Sequence, residues 1–104
     1  MPFDPSDPVA VRDLSWVGDA LLSLFAREWI LENEARLGAV RADLFRDLTS
    51  NQFLSALGVP CVVEARIGDA YRTGGLAGAQ HYFDTELVPL FLKQHAKRRR
   101  GQGR

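Results

Sequence analysis

The sequence predicts an all-α fold of about four to five helices, on three observations. Apolar residues recur at helical spacing through most of the chain, no stretch sustains the period-two alternation of a strand, and no Asn-Gly or Asp-Gly pair separates two apolar runs. The 104 residues, 46% hydrophobic and 25% charged, fit one ordinary domain and contain no internal repeat. A chain this short buries only a modest fraction of its surface, so pairing with a second copy would help it.

The opening, with Pro2, Pro5 and Pro8, reads as extended or turn-like, and Ser6 or Asp7 is placed to cap a helix starting near Pro8. Leu14, Val17, Leu21, Leu24, Phe25 and Leu31 then define one amphipathic helix within Asp13 to Leu31, with Gly38 as a break. A second helix is expected from about Val40 to Leu57, with Leu44, Phe45, Leu48, Phe53 and Leu54 on its apolar side and Gly58-Val59-Pro60 as its stop. The third runs from Pro60 to Arg72 and ends at Thr73-Gly74-Gly75. The last continues from Leu76 to about Lys97, and Pro89 inside it predicts a kink or a restart. This divides the chain into a helical domain over residues 1–97 and a disordered basic tail over 98–104.

The formal net charge of zero hides an asymmetry. Lys93, Lys97, Arg98, Arg99, Arg100 and Arg104 fall in the last twelve residues, whereas residues 1–92 carry seven basic and thirteen acidic side chains. Such an end either contacts phosphates in a salt-dependent way or is simply solvated. The single cysteine, Cys61, forms no disulfide within the chain, and His81 and His95 lack the spacing of a zinc site, so a reducing cytoplasm is expected. The first residues have neither the basic nor the apolar region of a signal peptide, and no apolar run is long enough to cross a bilayer. Cys61 reads as a small core residue, Trp16 and Trp29 as core or dimer-contact residues, and His81 and His95 as surface or helix-end residues.

Two acidic residues stand where carboxylates are costly. At about 100° per residue, Asp19 shares its helix face with Arg12, Ser15, Trp16, Leu22, Ser23 and Ala26. Glu64 shares its face with Pro60, Cys61, Ile67, Gly68 and Tyr71, while Arg66 and Asp69 point away. A shielded carboxylate needs a counter-ion, hydrogen-bond donors or a metal. Gly18 and Gly68 beside them mark close backbone approach. Two readings remain at this point. Either the carboxylates converge on a divalent cation, or Asp19 is salt-bridged to an arginine such as Arg12 and Glu64 to one on a neighbouring helix.

The stretch Leu14-Ser15-Trp16-Val17-Gly18-Asp19-Ala20 resembles the signature helix of the ribonuclease III family, and in particular its Mini-ribonuclease III branch. Glu64-Ala65-Arg66-Ile67-Gly68-Asp69-Ala70-Tyr71, followed by Gly74-Gly75-Leu76, is similar to the family's second motif, and Ser50-Asn51 falls where the family often has a Ser-Asn pair. The resemblance covers roughly Leu14 to Phe91. It implies a compact helical endonuclease domain that works as a homodimer and cleaves double-stranded or structured RNA, including ribosomal RNA precursors. Asp19 and Glu64 match its two essential carboxylates and would hold Mg²⁺, with Mn²⁺ as an alternative. Arg41, Arg46, Arg72, Lys97, Arg98, Arg99 and Arg100 are then the expected phosphate contacts. The chain has Arg12, Ser15 and Cys61 where full-length members carry further acidic residues, and only twelve residues separate Asn51 from Glu64, where the family has a substantial helical segment. These departures motivate an alternative, a non-catalytic RNA-binding or ribosome-assembly protein, and a third reading, a helical protein-interaction module.

Overall fold

In the computed structural model, which describes the backbone of residues 3–102 and the side chains of residues 3–98, every regular element is helical. The order is α1 (Pro8–Leu37), α2 (Arg41–Leu48), α3 (Asn51–Leu54), α4 (Pro60–Tyr82), a π-helical turn (Phe83–Leu87) and α5 (Val88–Gln102). None of the described helices is long and apolar enough to cross a membrane.

The Asp7 carboxylate accepts from the Val9 and Ala10 amides and opens α1, with Pro8 at the first helical position, where its missing N–H costs nothing. Gly38, at φ 64°, closes it by donating its backbone N–H to the Glu34 carbonyl, so the 30-residue helix is longer at both ends than its apolar stripe suggested. At about 1.5 Å per residue this helix sets the 48 Å long axis of the molecule. Its buried positions, Leu14, Gly18, Leu21, Leu22, Phe25, Ala26 and Ile30, form one stripe that packs chiefly on α4.

The single second helix expected over Val40 to Leu57 is in fact two. Ser50 adopts an extended backbone (φ −74°, ψ 150°), and its hydroxyl accepts from the Phe53 amide while donating to the Asp47 carbonyl. That local capping geometry ends α2 and starts α3, as serine favours at a helix N-terminus over a helix interior. The corner turns Leu44, Leu48, Phe53 and Leu54 onto the same core.

Within α4 the chain breaks at Gly75 (φ 68°, ψ −165°), a conformation essentially confined to glycine. This is the expected Thr73-Gly74-Gly75 boundary, although the helix resumes at once. Pro89 falls where the sequence expected a kink or a restart, at the second position of α5, which begins anew at Val88. The chain adopts a wider π turn just before it, in which the Val88 amide reaches the Phe83 carbonyl, and so accommodates the proline ring and its missing donor. α5 then stays helical through Gln102, beyond the Lys97 boundary drawn from sequence; the side chains of Arg99 and Arg100 lie outside the described residues.

The core is closed by aromatic contacts that tie α5 and the π turn to α1 and α3. Phe25 meets Phe83 at 5.7 Å, and Phe91 is met edge-on by Trp29 at 5.7 Å and by Phe53 at 5.6 Å. Two side chains, Cys61 and His95, depart from expectation, and Trp16 loses the core half of its reading. Cys61, in the first turn of α4, is exposed rather than a core residue. Trp16 is 83% exposed, whereas Trp29 is partly buried. His95 is no simple surface residue, since its ring stacks on Phe91 at 5.9 Å.

Candidate functional site

The crossing of α1 and α4 is built on two glycines that each face the other helix's backbone. A Cβ placed on Gly18 would collide with the Glu64 carbonyl oxygen and stand 2.6 Å from its carbon. One on Gly68 would collide with the Leu14 carbonyl oxygen and stand 3.0 Å from its carbon. Only glycine permits this approach. Each glycine lies over the carbonyl four residues before the other, so the register between the helices is set by main chain on both sides.

That register brings Asp19 and Glu64 together. Asp19, next to Gly18, lies exposed at the rim, and Glu64 is half-buried beneath it. The two carboxyls share a hydrogen bond. Burial first, then this bond and the charge of Asp19, push the Glu64 carboxyl up to about 7. One proton is therefore retained between the pair well above the usual carboxylate range, as for any two acids forced into contact.

The salt-bridge reading of these acids does not hold. Arg12 pairs with its neighbour Asp13 at 3.3 Å, and neither Asp19 nor Glu64 takes part in an ion pair among the described residues. The carboxylates instead border an open cleft of about 580 Å³ whose other walls are Arg12, Ser15, Trp16 and Ala20. Arg12 and Trp16 continue into an adjoining depression with Arg72.

A hard divalent cation fits this donor set. The raised proton affinity of Glu64 beside Asp19 marks a negative site without a counter-ion, and the open cleft leaves room for the waters that Mg²⁺ keeps. No group of three or more His, Cys, Asp or Glu capable of holding a metal occurs among the described residues, so most of the ion's ligands there would be water.

The basic residues singled out from sequence are dispersed. Arg72 is near the cleft, on the far side of Trp16. Arg41 is held by Glu34 at 2.8 Å, and Arg46 is shared between Asp43 and Asp47, both at 3.3 Å. Arg98 reaches across from α5 to Asp47 at 2.8 Å. Lys97 is exposed on α5. Sequence reasoning treated Arg12 only as an ion-pair partner, yet it is a basic residue lining the cleft together with the two carboxylates; its spacing of seven from Asp19, two helical turns, was the available signal. Neither a family profile, a curated protein nor a solved structure matches the chain.

Proposed function

We propose that the chain is a ribonuclease III-like endoribonuclease that cleaves double-stranded or structured RNA as a homodimer in a reducing cytoplasm. The single observation carrying this reading is the Asp19–Glu64 pair, two acids from different helices held in contact by reciprocal glycines at the edge of an open cleft. Those glycines and acids belong to the two sequence segments that resemble the family's motifs, Leu14–Ala20 and Glu64–Tyr71.

Asp19 and Glu64 would hold Mg²⁺, which when bound would supply an activated water and charge neutralisation at a phosphodiester. The chain's own part is to assemble a negative site without neutralising it internally. Below about pH 7 the pair holds a proton; above it both carboxylates are free to bind the cation. Arg12 and Arg72 flank the cleft with cationic groups suited to phosphates on either side of the bond that is cut. Trp16, together with exposed Val9 seven residues earlier on the same face of α1, gives this region an apolar surface suited to a second copy. In that dimer the two copies would present one carboxylate pair to each RNA strand.

A second reading, a non-catalytic RNA-binding or ribosome-assembly protein, is favoured by one observation, the lack of a third metal-ligating side chain among the described residues. One assay separates the two. The purified chain is incubated with duplex RNA and Mg²⁺, beside Asp19→Asn and Glu64→Gln. Cutting by the parent and its loss in both folded variants is the expected result. Binding without cutting supports the second reading, and neither binding nor cutting overturns both.

A further inference from the structure

A separate pocket of about 180 Å³ lies between the α2–α3 corner and α5, with Arg46, Asp47, Gln52, Gln94, His95 and Arg98 around it and the rings of Phe53 and Phe91 as its floor. It is remote from the carboxylate pair. Phe91 packs on Trp29, which stands ten residues, roughly 15 Å, along α1 from Asp19.

The pocket is rich in hydrogen-bond donors and short of acceptors. Stacking on Phe91 leaves the His95 Nε2 buried and without a hydrogen-bond partner among the described residues. Such an atom is expensive to leave unsatisfied, so a ligand that supplied an acceptor there would be favoured. The one carboxylate in the lining is already committed: its Oδ1 accepts from Arg46 Nε at 3.3 Å and its Oδ2 from Arg98 Nη1 at 2.8 Å. Each guanidinium has five N–H groups, so both retain donors after these bonds. Arg46 also reaches Asp43 at 3.3 Å, outside the pocket lining. The side-chain amides of Gln52 and Gln94 make no hydrogen bond among the described residues, which adds two further uncommitted groups.

Two guanidiniums against one carboxylate leave the lining with a net positive charge before His95 is counted. The volume is several times what one water needs. We propose that this pocket binds the tetrahedral oxyanion of a phosphate, with the free guanidinium N–H groups donating to its oxygens and the His95 ring turning on Phe91 to bring its Nε2 to them. Charge-assisted bonds of this kind are the strong ones, and arginine forks match phosphate geometry. The inference does not need the nuclease reading, because it uses neither carboxylate of the pair, although Arg46 and Arg98 are among the phosphate contacts expected from sequence.

The test is an NMR titration of the full chain with inorganic phosphate at constant ionic strength, following the His95 ring and the Gln52 and Gln94 side-chain amides. A saturable shift with a dissociation constant of about 1 mM is expected, with no counterpart in a chloride titration. His95→Phe, which keeps the ring stack and removes the donor, and Arg98→Gln should each weaken it about tenfold. Unfolding midpoints of both variants check that the fold survives. Competition by a 5′-phosphorylated RNA oligonucleotide at lower concentration than free phosphate, and not by its 5′-hydroxyl twin, would assign the site to a nucleic-acid terminus; equal potency per phosphate group would assign it to free phosphate. Asp19→Asn should leave the titration unchanged, which separates failure here from failure of the nuclease reading. A linear, non-saturating response, an identical response to chloride, or unchanged affinity in both pocket variants would overturn the proposal.

Discussion

Replacing Glu64 with glutamine should change how stability depends on pH, and the direction follows from the coupled carboxyls. The Glu64 carboxyl is raised from an ordinary 4.5 to about 7 in the folded chain. Below pH 4.5 both folded and unfolded states carry the proton, and the stabilisation is fully present. Between 4.5 and about 7 the folded state holds a proton the unfolded state has released, so stability falls as pH rises and levels off above pH 7. A fully shielded group with this shift would lose about 3 kcal/mol. Water screens the half-exposed pair, which reduces the expected loss to about 1–2 kcal/mol. Glutamine in place of Glu64 keeps a neutral hydrogen-bonding group beside Asp19 at every pH, so this part of the slope disappears and the variant gains on the parent above pH 7. Urea unfolding of both proteins at pH 5 and pH 8, compared at equal m-value, measures the difference. Parallel pH profiles for parent and variant would refute the coupling, and with it the claim that the two acids share a site. Mg²⁺ at ten times its dissociation constant should restore about 1.4 kcal/mol to the parent at pH 8 and much less to Glu64→Gln.

The glycine crossing predicts a steep cost for the smallest substitution. Gly18→Ala and Gly68→Ala should each destabilise by about 3 kcal/mol or more, because the new methyl meets fixed backbone, and thermal unfolding will report it. Gly75→Ala should cost about 1–3 kcal/mol through strain alone, since nothing lies near its Cβ position, and circular dichroism should show unchanged helicity. Trp16→Glu should shift the proposed dimer to monomer in sedimentation, while the unfolding free energy of the dissociated monomer stays within about 0.5 kcal/mol of the parent's at equal dilution, because the 83% exposed ring contributes little to the core.

Much of this architecture is legible in the residues because it rests on local rules. Asp7 and Pro8 state a helix start, Gly38 a helix end, and the spacing of Leu14, Leu21 and Phe25 a buried stripe. The close approach at Gly18 and Gly68 was readable for the same reason, since glycine beside a shielded acid has few other uses. What escaped was decided by competition between comparable terms. Ser50 sits in an apolar pattern that continues across it, and its capping bonds outweigh the period of that pattern. Asp47 becomes the meeting point of its neighbour Arg46 and of Arg98, which stands 51 residues further along the sequence, through tertiary packing that no local window contains. The burial of His95 depends in turn on Phe91 being drawn toward Trp29 and Phe53.

The mutual seating of Gly18 and Gly68 makes the distance between two acids a property of main chain rather than of side-chain filling. A one-residue slide of either rod along the other would drive a methyl or larger group into a carbonyl on both sides at once. Core substitutions elsewhere can therefore loosen the molecule considerably before they pull its two carboxylates apart, so stability and site geometry are free to change separately under mutation.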